Sequence, residues 1–227
     1  MMKETLFNQR SQTTKLLQLL TLFMMLLAPK GAWSQVIFDD GDGSQEYPYI
    51  ISTSDQLKTF AQAVNAGTQA TENLYFRIAD LMETPTVNCS NLNGTFVSIG
   101  TSDYPFKGTF DGNGSNLSIS DLIVNVGTDG CNGLFGVVDG GTITNVRLYH
   151  CNFYGGANVG AIVGELRNGS VTNCEVTECT VTSGNARNVT VGGIVGLVSK
   201  GTISNCIVND EMTSLYAQSD YTDDKES

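Results

Sequence analysis

Histidine occurs once in 227 residues, at His150; tryptophan also occurs once, and proline four times. A single histidine excludes an HExxH zinc site, and it leaves a Ser–His–Asp triad only if His150 is the base. Positive charge is scarce, with 12 lysines and arginines against 23 acidic residues, a net of −11. Nucleic-acid binding and docking to anionic lipid both need a basic face, so neither partner class fits. Four prolines beside 25 glycines argue against Pro-rich disorder and for many tight turns. Long apolar runs are nearly absent as well.

The exception is LLQLLTLFMMLLA at 16–28, preceded by Lys3, Arg10 and Lys15. These 13 residues would rise about 20 Å as a helix, short of the roughly 30 Å hydrocarbon core. A basic start, a short apolar run and the small-x-small triplet Ala32-Trp33-Ser34 read as a secretory signal, with cleavage expected before Gln35. An uncleaved anchor is the alternative. Cleavage would remove Lys3, Arg10, Lys15, Lys30 and Glu4, leaving 8 basic and 22 acidic residues, a net of −14. No membrane insertion is expected after that cut.

Three segments of the remaining chain align with one another: GLFGVVDGGTITNVRL at 133–148, AIVGELRNGSVTNCEV at 161–176 and GIVGLVSKGTISNCIV at 193–208. Asn145, Asn173 and Asn205 recur at spacings of 28 and 32 residues, and Gly136, Gly164 and Gly196 keep the same spacings. Apolar, small or β-branched residues fill the columns Leu134/Ile162/Ile194, Ile143/Val171/Ile203, Val146/Cys174/Cys206 and Leu148/Val176/Val208. Polar residues alternate with them, which is a strand period and not a helical one. Short strands at a period near 30, with glycine turns and no crossover helix, predict a parallel β-solenoid with a ladder of stacked asparagines. An antiparallel sandwich would not require column identity at a constant offset. A degenerate earlier coil is expected around FKGTFDGNG at 106–114 and LSISDLIV at 117–124, with Asp121 in the place of Asn145.

Upstream, YPYIIST at 47–53 reads as a strand. Thr53 and Gln56 form a capping box, and Leu57, Phe60, Ala61 and Val64 line one face of a helix expected over 54–66, with Gly67 at its end. This helix is expected to cap the solenoid, with LYFRI at 74–78 as the first strand behind it. The expected organisation is a signal at 1–34, a cap at 35–85, the β-helix at 86–211 and an acidic, disordered tail at 212–227.

The repeats GLFG, GAIVGE and GGIVGL, following GDGSQEYPYIISTSDQLKTFAQAVNAG and YPFKGTFDGNG, resemble the GLUG-motif repeats of secreted surface proteins of Bacteroidetes type. The resemblance covers roughly residues 36–208. It implies a right-handed parallel β-helix, a secreted or cell-surface location, and a non-enzymatic role in adhesion or in binding a glycan or a host surface protein. It supplies no catalytic residues. A polysaccharide-active enzyme and a structural stalk within a longer repeat array are the alternatives.

Candidate chemistry is thin. Asp39, Asp40 and Asp42 could offer oxygens to calcium, but glycine and glutamate are missing where an EF-hand needs them, and an acidic turn explains them as well. No other cofactor is implied. Glu165, Glu175, Glu178 and Asp139 are the carboxylates considered for glycoside cleavage, set against a solubilising role. Tyr149, His150, Asn152 and Tyr154 crowd one coil and suit a sugar-binding face, with Tyr104 and Phe106 expected one coil earlier. Arg147 and Glu175 are expected to pair across adjacent coils. Among six cysteines, Cys174 with Cys206 and Cys151 with Cys179 share registers; these are either disulfides or a ladder of buried thiols.

Overall fold

A computed structural model describes residues 38–80, 86–114, 117–125, 130–184 and 189–209, and the backbone of Ser214–Tyr216. The chain divides into two units, 1–35 and 36–227, and the description below concerns the second. The expected signal at 1–34 and most of the expected tail lie outside the described residues.

The second unit is a parallel β-solenoid of four sheets. The first sheet holds β1 (Tyr49–Ile51), β2 (Tyr75–Ile78), β4 (Thr109–Asp111), β8 (Phe135–Thr144), β12 (Val163–Thr172), β16 (Val195–Val198) and β17 (Thr202–Ser204). The second holds β3 (Thr86–Asn88), β5 (Ser118–Ser120), β9 (Arg147–Tyr149), β13 (Glu175–Thr177) and β18 (Ile207–Val208). A third contains β6 (Ile123–Asn125), β10 (Asn152–Tyr154), β14 (Thr180–Thr182) and β19 (Ser214–Tyr216). The last contains β7 (Cys131–Asn132), β11 (Asn158–Gly160) and β15 (Thr190–Gly192). Following the chain through the sheets gives five turns, which begin at β2, β4, β7, β11 and β15.

The strand register reproduces the sequence columns. Val171 pairs with Ile143 on one side and Ile203 on the other, and Val176 pairs with Leu148 and Val208. Ile143, Val171, Leu148, Val176, Leu134 and Ile162 are buried. Gly164 lies opposite Gly136 and Gly196, and a Cβ on Gly164 would sit 2.6 Å from the Asn132 amide nitrogen. The column is therefore glycine because backbone from the neighbouring turn fills the space.

Asn145, Asn173 and Asn205 all adopt left-handed conformations, with φ of 55°, 55° and 53°. They make the first corner, between the first and second sheets. Asn173 Nδ2 donates to Asn145 Oδ1 at 3.5 Å, and Asn145 Nδ2 donates to Asp111 Oδ1 at 2.9 Å. Asparagine suits both needs, since it tolerates this backbone and its amide bridges successive turns. Asp111 heads the ladder and also faces Arg77 at 3.3 Å. Asp121 does not belong to it. Ser120 pairs with Tyr149, which places Asp121 beside His150 at the next corner, while Gly112 lies opposite Asn145. The 24 residues from Asp121 to Asn145 run from the second corner of one turn to the first corner of the next, so the two positions are not equivalent.

The helix α1 runs over Ser54–Asn65, the only α-helix among the described residues, with the Thr53/Gln56 capping box formed. Leu57, Phe60, Ala61 and Val64 are buried, and the Phe60 ring lies 4.6 Å from that of Phe76. This end of the stack is closed: Ile51, Phe76, Ile78 and Val87 are at most 2% exposed. At the opposite end, Val198, Ile203 and Val208 are exposed among the described residues. Ser214–Tyr216 pairs with Thr180–Thr182. This strand falls inside the stretch expected to be disordered, because backbone pairing with β14 continues the third sheet there.

All six cysteines are free thiols, so neither of the two possible disulfide pairings is formed. The Cys151 amide donates to Cys179 Sγ at 3.3 Å, within a ladder of stacked thiols. In-register neighbours on parallel strands meet side by side, a poor approach for the disulfide torsion. Burial pushes the Cys89 and Cys174 thiols up to about 12, and Cys151 well above its ordinary value, so these groups stay protonated and unreactive at neutral pH.

Two substitutions test the inside–outside assignment. Ile162→Asp places a carboxylate at a site with 0% exposure and should cost several kcal/mol in chemical denaturation. Glu178→Gly, at a residue with φ of 51°, should be neutral or stabilising by up to about 1 kcal/mol. Equal effects would contradict the register.

Candidate functional site at the second corner

Asp121, His150 and Glu178 occupy equivalent positions on three successive turns, each in the left-handed region with φ of 55°, 54° and 51°. They form the corner between the second and third sheets. The sequence gives no single residue type here, so the column is not visible as a repeat. In three dimensions it is a carboxylate, an imidazole and a carboxylate, stacked along the solenoid.

His150 Nδ1 lies 2.7 Å from Asp121 Oδ1. Asp121 Oδ2 accepts from Ser120 Oγ at 2.8 Å and from Asn88 Nδ2 at 2.6 Å. The hydrogen bond to Asp121, and then its charge, raises the His150 pKa from its ordinary 6.5, and Glu178 adds to the effect. The same bond, with help from Ser120 and Asn88, lowers Asp121 below its ordinary 3.8.

The four residues expected to form a ligand face divide between two sheets. Tyr149 ends β9 in the second sheet, and Asn152 and Tyr154 lie on β10 in the third, with His150 at the bend. Tyr149 and Tyr154 are each 44% exposed. The tyrosines therefore flank a ridge and do not share one flat platform. Tyr104 is 50% exposed, but Phe106 is fully buried and belongs to the core. Phe106 lies outside the named strands, in a single bridge to Val138, so no alternation along the sequence marks it as inward.

The other candidates are spent on structure. Asp39 Oδ1 accepts from Gln56 Nε2 at 2.6 Å, Asp40 Oδ1 from the Gly41 amide at 2.8 Å and Asp42 Oδ1 from the Ser44 amide at 2.9 Å. Asp39 and Asp42 are lowered by these turn and capping contacts, chiefly with Ser52 and Ser44. No group of three or more His, Cys, Asp or Glu side chains that could hold a metal ion occurs among the described residues. Glu175 Oε2 pairs with Arg147 Nη2 at 2.9 Å, as the shared column implied. Glu165 is held by Arg167 at 3.2 Å and accepts from the Cys131 thiol at 3.5 Å. Arg167 also reaches the Ser102 carbonyl and hydroxyl, at 3.2 and 3.0 Å, tying that loop to the stack.

Two clefts escaped the sequence, one of them of about 280 Å³ and lined by Asn65, Ser98, Ser102, Cys131 and Asn132, among others. The other, of about 220 Å³ beyond the end of α1, is lined by Gly67, Glu72, Asp103, Tyr104 and Lys107, among others. Tyr104 lies so close to Gly67 that a Cβ there would meet its ring at 2.5 Å. These residues come from loops 67–72 and 103–107, which no column marks.

No family model matches the chain. Over 153 residues, 64% of the chain, it is 35% identical to halomucin of Haloquadratum walsbyi, and the chain spans 2% of halomucin's length. Among solved structures, a protein of Bacteroides ovatus described as a "putative immunoglobulin A1 protease" is 15% identical, with a TM-score of 0.43, over 80% of this chain and 86% of that one. The fold assignment rests on the strand register and not on this likeness. No helix among the described residues is long and apolar enough to cross a membrane.

The corner makes a prediction about pH. The folded-state pKa of His150 exceeds its unfolded value, so the stabilisation is complete below about 6.5 and is lost as the pH rises through the folded value. Asp121 contributes above its ordinary value and loses that contribution as the pH falls through its depressed one. His150 is the only histidine, so one imidazole NMR titration reports the pair. Its midpoint should lie above 6.5 and return toward 6.5 in Asp121→Asn; an unchanged midpoint would remove the interaction.

Proposed function

We propose that the chain is an exported, non-catalytic β-solenoid of the GLUG-repeat type that binds a glycan or a surface protein at the corner formed by Tyr149, His150, Asn152 and Tyr154. The observation that carries this reading is the pair of half-exposed tyrosines flanking one ridge. Each stands on a strand paired on both sides, so ordering the site on binding costs little side-chain and backbone freedom. Tyrosine offers an apolar ring with a polar tip, and the imidazole and amide between the two rings donate and accept hydrogen bonds, which suits a partly hydrated sugar. Export is supported by the basic start and short apolar run at 3–28, followed by a small-x-small triplet.

A non-catalytic role is supported by the fate of the carboxylates. Glu165 and Glu175 are each engaged by an arginine. The polysaccharide-active alternative could use the cleft at Tyr104, which Glu72 and Asp103 line from two separate loops. Turnover of a polysaccharide that is abolished by Glu72→Gln or Asp103→Asn would favour that alternative. A stalk within a repeat array is a second reading, favoured by the exposed apolar side chains Val198, Ile203 and Val208 of the last described turn.

The test is a glycan-array screen, repeated with Tyr149→Ala/Tyr154→Ala. The double variant should keep its melting temperature and lose about tenfold or more in affinity for a glycan that the parent binds. Unchanged affinity would exclude this corner.

A further inference from the structure

The cleft beyond the end of α1 combines a held aromatic ring with charged groups of both signs. Along the stack, Asp111, Asp121, Glu165 and Glu175 each have a basic partner, in Arg77, His150, Arg167 and Arg147. Glu72, Asp103 and Lys107 line the cleft, and among the described residues none of their side chains forms an ion pair or a hydrogen bond. The aromatic wall is held in place by its surroundings. The Tyr104 ring lies over Gly67, so close that a Cβ there would meet it at 2.5 Å. The Tyr104 amide donates to Thr101 Oγ1 at 3.1 Å, and its carbonyl accepts from the Thr101 amide at 3.0 Å. Pro105 follows and narrows the backbone choices of Tyr104. Phe106 is fully buried and anchors this loop in the core. The Lys107 amide donates to the hydroxyl of buried Thr71 at 3.0 Å, which ties the two loops of the cleft together. Tyr104 nevertheless keeps 50% of its surface in solvent.

We infer that this cleft binds one neutral hexose unit of a glycan. Its volume of about 220 Å³ is below the roughly 300 Å³ at which pockets for drug-sized ligands begin, and it suits a single sugar ring. A pyranose has one face of C–H groups, which stacks on tyrosine, and a rim of hydroxyls that both donate and accept. Those hydroxyls donate to Glu72 and Asp103 and accept from Lys107, and hydrogen bonds to charged groups are the stronger kind. A ligand of one charge sign cannot use all three groups. A cation meets Lys107, and an anion meets two carboxylates, with the chain's net charge of −11 adding to the repulsion. The uronate counterpart of the same sugar is therefore rejected. Because the ring and both loops are already held, little freedom is lost on binding. The cleft is built from other residues than the corner at Tyr149 and Tyr154, and shares only its ligand class with the proposed function.

Saturation-transfer NMR on the full chain tests it, with the methyl glycosides of glucose, galactose and mannose as probes and those of glucuronate and galacturonate as their acidic counterparts. At least one neutral glycoside should bind, and its uronate should bind about tenfold more weakly or not at all. Tyr104→Ala should weaken binding by about tenfold or more, while Tyr104→Phe, which keeps the ring, should retain most of it. Glu72→Gln/Asp103→Asn should weaken the neutral glycoside and narrow its advantage over the uronate. These side chains are exposed, and circular dichroism verifies that each variant is folded. Tyr149→Ala/Tyr154→Ala should leave binding at the cleft unchanged, so failure of the corner and failure of the cleft are read separately. The inference is overturned if no neutral glycoside binds, if a uronate binds as well as its neutral counterpart, or if Tyr104→Ala has no effect. Loss of binding in the Tyr149/Tyr154 variant alone would assign the sugar to the corner and overturn it as well.

Discussion

A parallel coil can bury its apolar columns only against another coil, and every other feature follows from that constraint. A single turn has no second layer of its own, so Val171 reaches 0% exposure because Ile143 and Ile203 lie on either side of it. Stacking also demands that backbones approach closely at the corners. Glycine at Gly136, Gly164 and Gly196, and residues that tolerate positive φ at Asn145, Asn173 and Asn205, meet that demand. Where the stack begins, α1 supplies the missing layer. Where it ends, the described residues supply none.

The same constraint separates structural polar groups from available ones. Inside the first corner, Asp111, Asn145 and Asn173 use their side chains on one another along the stack. At the second corner, the ladder residues differ from turn to turn, and this freedom lets an acid, a histidine and an acid meet. Asp121 and His150 satisfy each other, while Tyr149 and Tyr154 keep nearly half their surface in solvent. Two corners of different side-chain chemistry are thus built on one backbone and distinguished by side chains alone.

Legibility followed the periodicity. The fourth and fifth turns, and most of the third, were readable because inward positions repeat at a constant offset, and α1 was readable because its capping box and apolar face are local signals. Asp121 was misplaced because the second turn has Gly112 where later turns carry asparagine, leaving no residue identity to fix the register. Phe106 was read as a surface aromatic because no strand alternation brackets it. Strand β19 was missed because a three-residue pairing depends on β14 as its template and not on its own composition. The Tyr104 cleft was invisible because its walls are loops separated by more than thirty residues, outside any repeat.

By itself, the sequence determined the stacked, parallel architecture, the identity of the buried columns and the capped start, since each is encoded by spacing along the chain. Tertiary structure alone decided which side chains meet around the corners. The pairing of His150 with Asp121, the separation of Tyr149 from Tyr154 by a bend, and the free state of the thiols depend on angles between sheets and on in-register approach, neither of which is set by spacing. It also decided that Val198, Ile203 and Val208 are exposed: their residue types match the buried columns, and among the described residues no further strand lies on their outer side.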